Sequence, residues 1–285
     1  MNTFAEKFGP WAVVTGASSG IGEAFCRRLA SAGMNLVLVA RREELLRRLA
    51  GRLEIEHGVK TRIVAVDLAG EGFLTAIEAA TADIAIGLLV NNAGFATSGP
   101  FLDNDVHDEV AMLHLNARAP LVLAHRFGRL MRERRKGGII FISSILGFSG
   151  VPAWSHYAAT KAFDQVLAEG LALELRQDGV SVLAVAPGPT QTAFWRNSTP
   201  RLVPFASPDR VAQVALGKLG RRSAVTAGWR NSLIVFSTRL LPRPWNVRIF
   251  GLVMRLLSRT TAQQRASHSS TTTRTVCGSL TRQGD

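Results

Sequence analysis

At 285 residues the chain has room for one large domain or two small ones, and an apolar content of 47% supplies a sizeable core. A formal charge of +13, from 29 Arg and 5 Lys against 21 acids, suggests an anionic partner, but the basic clusters (Arg41-Arg42, Arg47-Arg48, Arg132 to Lys136, Arg221-Arg222) are scattered and not interleaved with aromatics, which argues against nucleic acid. Cys26, Cys277 and six unclustered histidines offer neither a disulfide framework nor metal-ligand spacing, so a reducing, cytoplasmic setting and no metal are expected.

In chain order, Glu6 and Lys7 precede the first apolar run, which predicts no signal peptide. Trp11 to Val14 reads as a buried strand. Thr15-Gly16-Ala17-Ser18-Ser19-Gly20-Ile21-Gly22 follows, and then Ile21, Phe25, Leu29 and Ala32 repeat at helical spacing up to Gly33. Further apolar runs predict strands at 35–40, 62–66, 87–90, 139–142 and 180–186. Helical patterns lie between them at 43–56, 70–82, 103–135 (broken near Pro120) and 155–176. This alternation predicts an α/β fold: a doubly wound, Rossmann-like parallel sheet of about seven strands, helices on both faces and a helical C-terminal extension. Residues 189–208, rich in proline, read as a mobile loop. A helix follows from Ser207-Pro208-Asp209 to about Leu219, and Ala224 to Ala227 suits a seventh, edge strand. The domain reading is 1–228 for the sheet domain, 229–257 for an apolar, Arg-studded extension and 258–285 for a disordered Ser/Thr-rich tail.

In such sheets ligands sit beyond the carboxyl ends of the strands. A strand, a Gly-rich turn and a helix start form a phosphate cradle, because the first helical N–H groups lack partners and glycines admit a close approach. The second strand ends in Arg41-Arg42. An Arg there accommodates the 2′-phosphate of NADP, whereas an acid would bind the 2′-hydroxyl of NAD, so NADP(H) is the expected cofactor and NAD(H) the alternative. Asp67-Leu68 ends the third strand, where Asp67 is placed to accept from an adenine amino group. Asn91-Asn92-Ala93-Gly94 ends the fourth and suits a turn facing the ribose. Ser144 ends the fifth, and thirteen residues on stands Tyr157, the only tyrosine, with Lys161 one helical turn later on the same face. A phenol of pKa ~10 donates a proton to a carbonyl at neutral pH, and a nearby ammonium lowers that pKa so that the same group serves as a base in reverse. Pro187-Gly188 at the end of the sixth strand lets a flat ring pass close to the backbone, with Thr190 and Thr192 beyond it.

Together these motifs resemble the short-chain dehydrogenase/reductase family over roughly residues 10–220: Thr-Gly-xxx-Gly-Ile-Gly at 15–22, Asn-Asn-Ala-Gly at 91–94, Asn116, Ser144, Tyr-xxx-Lys at 157–161 and Pro-Gly at 187–188. The resemblance implies hydride transfer between a nicotinamide and an alcohol or carbonyl carbon. It implies Tyr157 as acid/base, Ser144 as hydrogen-bond partner of the substrate oxygen, Lys161 on the nicotinamide ribose and Asn116 in a water chain that relays protons through Lys161. It also implies that Gly16, Ser18, Gly20, Ile21 and Gly22 wrap the cofactor phosphates, while Thr190 and Thr192 meet the carboxamide. Ser19 departs from the pattern, since some NADP-using members carry a basic residue there, which leaves Arg41 as the main determinant. By family habit a homo-oligomer, dimer or tetramer, is expected.

Phe148, Trp154, Phe194, Trp195 and Leu202 are expected to line an apolar mouth for a hydrophobic ketone, aldehyde or secondary alcohol. The extension 229–257 is too interrupted to span a membrane. It is expected to pack on the domain, on a partner subunit or on a membrane surface, which would place the protein at the inner face of a membrane as a reductase of lipid carbonyls. A non-catalytic NADP-binding sensor or scaffold is the alternative of another class.

Overall fold

A computed structural model describes residues 4–191 and 206–254. Seven parallel strands run through them: β1 (Trp11–Thr15), β2 (Asn35–Ala40), β3 (Thr61–Ala65), β4 (Ile86–Asn91), β5 (Gly137–Ile142), β6 (Val180–Pro187) and β7 (Ala224–Ala227). They form one sheet in the order β3-β2-β1-β4-β5-β6-β7, as the β-α alternation predicts, with the edge strand at 224–227.

Most sheet positions are buried on both faces, and the pleat sorts them. Ala12, Val14, Leu36, Leu38, Leu88, Val90, Ile140, Leu183 and Val185 face one core. There α2 (Gly20–Ser31), α3 (Glu43–His57) and α8 (Pro208–Lys218) contribute Phe25, Leu29, Leu46, Leu49, Leu53 and Val211. Val13, Val37, Val39, Leu89, Ile139, Phe141, Val182 and Ala184 face the other. That layer holds α4 (Phe73–Thr81), α6 (Ala119–Glu133) and α7 (Ser155–Glu174), with Ile77, Leu123, Phe127, Met131 and Ala168. The remaining helices are α1 (Phe4–Phe8), α5 (Val106–Leu113) and α9 (Trp229–Leu240), followed by α10 over 243–254.

Two local features refine the sequence reading. The long helical stretch breaks in a π-helical turn at His114–Arg118, directly before Pro120 in the first turn of α6. Proline has no N–H to give the carbonyl four residues back, that of Asn116, so the α-ladder cannot continue and the turn widens. The extension after 228 is a helical hairpin: Asn246 Nδ2 on α10 donates to the carbonyls of Thr238 and Leu241 at 2.7 and 3.1 Å. The hairpin packs beside the end of β6 and on a third apolar cluster, through Val235, Phe250 and Met254. The strand order reverses between β1 and β4, so the crevice opens at their carboxyl ends.

Candidate active site

At that crevice the chain doubles back after β1. Gly16 and Gly20 take φ of 65° and 62°, a conformation that costs other residues strain. A Cβ on Gly22 would overlap the Gly16 carbonyl and lie 2.6 Å from Asn92 Nδ2, so this glycine is what lets α2 start hard against the turn. Ser19 is the N-cap of α2 but makes no side-chain cap bond, which leaves the first helical N–H groups facing the crevice. The serines are engaged elsewhere: Arg42 Nη2 donates to Ser18 Oγ and Ser19 Oγ, both at 3.0 Å. Arg41 is exposed beside Asp67, with 3.9 Å between charged atoms. Both arginines therefore stand at the rim, with Arg42 rather than Arg41 tied to the Gly-rich turn.

The ends of β1 and β4 are locked by one buried hydroxyl. Thr15 Oγ1 donates to the Val90 carbonyl at 3.2 Å and accepts from the N–H groups of Asn92 and Ala93 at 2.9 and 3.0 Å. Asn92 Nδ2 returns a bond to the Thr15 carbonyl at 2.9 Å.

On the other side of the crevice stand Ser144, Tyr157 and Lys161, all buried. Ser144 hydrogen-bonds Tyr157 and also accepts from Leu146 N at 3.2 Å. Lys161 Nζ donates to the Ile142 carbonyl at 2.8 Å and to Asp164 Oδ2 at 3.0 Å. Asn116, fully buried in the π turn, uses its side chain on protein. Oδ1 accepts from Phe95 N at 3.1 Å, and Nδ2 donates to Phe95 O at 2.9 Å and Thr160 Oγ1 at 3.1 Å. It pins the 94–95 backbone to α7 just ahead of Lys161.

The electrostatics correct one expectation. Lys161 does act to lower the Tyr157 phenol, as does the Ser144 bond, but burial outweighs both and Asp164 adds to it, so the phenol stands above its ordinary value. Burial opposes the Lys161 ammonium, yet Asp164 and Tyr157 more than compensate and its pKa is raised. Burial pushes the Asp164 carboxyl up to about 6 against the pull of Lys161.

A cavity of about 440 Å³ joins the two sides, within the range of small-molecule sites. Its walls include Gly16, Ser18, Ser19, Gly20, Ile21, Arg41, Arg42, Asp67, Leu68, Asn92, Ala93, Gly94, Ser144, Tyr157, Lys161, Pro187, Gly188 and Thr190. Gly22 supports the turn from behind. Ala40, Val66, Phe95, Leu115, Ile142 and Ser143 complete the wall and belong to no motif; only their places at strand and helix ends mark them. Phe148 and Trp154 are not wall residues. They pack on the third apolar cluster, with Trp154 edge-on to Tyr157 at 5.8 Å between centroids. Thr192, Phe194, Trp195 and Leu202 lie outside the described residues. Glu109 on α5, missed by sequence reasoning, accepts from Thr97 and Asn104, both at 2.7 Å, and pairs with His156 beside Tyr157. These partners overcome its burial and lower its pKa. Asn231 on α9 abuts Gly188, where a Cβ would lie 2.5 Å from its Oδ1.

The profile of the short chain dehydrogenase family matches residues 10–202. The chain is 33% identical over 233 residues to the 7beta-hydroxysteroid dehydrogenase of Collinsella aerofaciens, covering 79% of this chain and 89% of the relative. It is 32% identical to the very-long-chain 3-oxoacyl-CoA reductase of Anas platyrhynchos, covering 90% of this chain and 82% of the relative. Among solved structures, a short-chain dehydrogenase from Sphingobium yanoikuyae in complex with NADPH superposes with a TM-score of 0.71 at 36% identity, covering 76% of this chain and 87% of that one.

The Thr15 lock makes a direct prediction. Thr15→Val keeps the shape but leaves two backbone N–H groups without their acceptor, at about 1–3 kcal/mol for each group left unsatisfied. Chemical denaturation should show that loss, whereas Thr15→Ser, which keeps the oxygen, should retain most of the stability.

Proposed function

The chain belongs to the short-chain dehydrogenase family, and we propose that it reduces hydrophobic ketones or aldehydes with NADPH and oxidises the corresponding alcohols in reverse. The observation that carries this reading is the convergence of Ser144, Tyr157 and Lys161 on the same cavity as the Gly-rich turn and two rim arginines. The cavity suits a dinucleotide: an uncapped helix start and the backbone of Gly16 and Gly20 line it where phosphates would lie, and the missing side chains of Gly16 and Gly22 let the turn close against Asn92. Gly16 to Gly22 would hold the pyrophosphate, Arg41 and Arg42 the 2′-phosphate, Asp67 and Leu68 the adenine, and Asn92 to Gly94 the backbone beside the ribose. Lys161 would hold the second ribose, and Pro187, Gly188, Thr190 and Thr192 the nicotinamide. When bound, the reduced nicotinamide supplies the hydride.

The protein's part is proton handling and orientation. Tyr157 holds at Oη the proton that the substrate oxygen takes up, and its raised pKa keeps that proton in place at neutral pH. Ser144 orients the same oxygen. Lys161 stabilises the phenolate that remains, and Asn116 keeps the 94–95 backbone and α7 in register. The apolar surroundings of Tyr157, with Trp154, Phe148, Val151 and Val235, favour a hydrophobic substrate. The names of the two relatives, a hydroxysteroid dehydrogenase and a long-chain acyl reductase, support the same class. A non-catalytic sensor is the weaker reading, since the complete Ser-Tyr-Lys set serves no sensing role.

A second reading concerns where the enzyme works. Residues 1–209 carry 21 basic and 20 acidic side chains, whereas 210–285 carry 13 basic and one acidic, so almost the whole net charge lies in the C-terminal part. In the hairpin, Trp229, Leu233, Phe236 and Leu240 form one exposed stripe on α9, and Trp245, Ile249 and Leu252 another on α10. Trp229 is 70% and Trp245 59% exposed. Among the described residues no helix is long and apolar enough to cross a membrane. Interfacial tryptophans, apolar stripes and arginines without acids fit the surface of an anionic bilayer. A two-fold contact would bring like charges together there. A second copy would instead sit on the exposed Val110 and Leu113 of α5 with Phe163 and Val166 of α7.

Tyr157→Phe should lower carbonyl reduction by about 10²–10⁴-fold while NADPH affinity, read by fluorescence titration, stays within a few-fold; unchanged turnover would refute the mechanism. For the membrane reading, flotation with anionic phosphatidylglycerol vesicles should capture the full chain, and neutral phosphatidylcholine vesicles should not. Trp229→Ser with Trp245→Ser should abolish capture without affecting turnover of a soluble ketone. Equal recovery on both vesicles would refute it.

A further inference from the structure

Between Asn92 and Pro100 the chain takes neither helix nor strand, so no ladder dictates where this segment runs beside the cavity. Bonds from other elements do. Asn116 holds Phe95, and the Gly99 N–H donates to the Ala153 carbonyl at 2.9 Å. Two further anchors meet in one carboxylate. Glu109 Oε1, on α5, accepts from Thr97 Oγ1 and from Asn104 Nδ2, both at 2.7 Å, while Oε2 pairs with Nδ1 of His156, the residue before Tyr157 on α7. Glu109 is only 5% exposed. Burying a carboxylate is costly unless donors surround it. Here Thr97, Asn104 and His156 do so, and they hold its pKa below the ordinary value despite burial. Glu109 is therefore an anion at neutral pH, on which both ends of the loop and the start of α7 close.

We propose that Glu109 is a specificity-determining positioning residue: by tying Thr97 and Asn104 to His156 it fixes the 95–105 segment as the wall that a bulky hydrophobic ketone meets beside Tyr157. The segment has the place this requires. Phe95 lines the cavity. Phe95 and Ala96 pack on the apolar cluster that holds Tyr157, Trp154 and, from the C-terminal hairpin, Val235 and Phe250. The Asn104 amide sits close to Gly99, where a Cβ would lie 3.6 Å from Oδ1 and where φ of 118° favours glycine. Apolar contacts are non-directional, whereas hydrogen bonds fix distance and angle, so the carboxylate is what gives this wall one position. Without it Thr97, Asn104 and His156 turn to water, and a large substrate must order the wall as it binds, which weakens its binding. A small ketone that reaches only Ser144 and Tyr157 depends on the wall less.

This role rests on the reductase reading, so its test pairs kinetics with a measurement that needs no substrate. The probes are benzophenone, a two-ring ketone, and cyclohexanone. Glu109→Ala should raise KM for benzophenone at least about tenfold, the scale of one mismatched methylene in an apolar pocket. Its kcat should change by less than about threefold, and the KM rise for cyclohexanone should be smaller. Glu109→Gln keeps an oxygen for Thr97 and Asn104, and its amide N–H can donate to Nδ1 of a neutral imidazole, so at pH 8 it should restore the wild-type KM. In the ligand-free full chain, amide hydrogen exchange should speed up across 95–105 in Glu109→Ala, stay the same in α2 and α3, and return to the wild-type rate in Glu109→Gln. Where the alanine variant does not fold, Asn104→Ala, which cuts one loop bond and leaves the carboxylate with Thr97 and His156, should show the same split to a lesser degree. Equal KM rises for the two ketones, a loss confined to kcat, or unchanged exchange across 95–105 in a folded variant overturns the proposal. A wild type that does not turn over these ketones would remove the proposed reaction, and the exchange result would then decide whether Glu109 holds this wall.

Discussion

Taking an ammonium out of water costs several kcal/mol unless its N–H groups find partners, and the inner end of the cavity is arranged around meeting that demand for Lys161. The Ile142 carbonyl at the end of β5 and Asp164 on α7 take two of its donors. Ser143 Oγ donates to the Lys161 carbonyl at 2.7 Å, tying the next residue of the strand to the same helix turn. Gly147 must lack a side chain, since a Cβ there would lie 2.8 Å from the Lys161 carbonyl carbon. Burying one charge thus fixes β5, the turn after it and α7 against each other. That in turn sets Ser144 beside Tyr157.

The opposite end of the cavity uses backbone where this end uses charge. Thr15 joins the ends of β1 and β4 through three hydrogen bonds, and Gly22 brings α2 against the turn. The reversal of strand order between β1 and β4 opens a gap, and the lock keeps that gap at constant width. A cofactor that spanned both ends would meet neutral donors and two arginines on one side and Tyr157 with Lys161 on the other. The C-terminal hairpin closes on the second side, where Asn231 abuts Gly188 and Val235 joins the cluster around Tyr157. The same small piece of chain thus borders the cavity and carries the exposed apolar stripes of α9 and α10.

Much of this was legible in the sequence for physical reasons that are local. Strands buried on both faces must be short apolar runs, so β1, β2 and β4 to β7 were found within two residues at either end, and β3 one residue late. Helix starts were less exact: the 70–82 pattern begins only at Phe73, because Gly72 takes φ of 75° ahead of it. The five-residue α1 is too short to show a period. Tyr157 and Lys161 were readable because one helical turn separates them, and Ser144 because it ends a strand. The sign of the Tyr157 shift was not, since it depends on burial and on Asp164, whose importance appears only once α7 is packed. Neither was the contact of Asn231 with Gly188, which joins segments 43 residues apart in sequence.

The central claim is that this cavity transfers a hydride while Tyr157 supplies the proton. The most direct measurement is a single turnover with NADPH deuterated at the transferable position of the nicotinamide and a bulky hydrophobic ketone, followed by mass analysis of the alcohol. The account predicts one deuterium on the carbinol carbon, formed by the wild type and lost in Tyr157→Phe despite retained NADPH binding. An alcohol without the label, or equal label from the Tyr157→Phe protein, would contradict it.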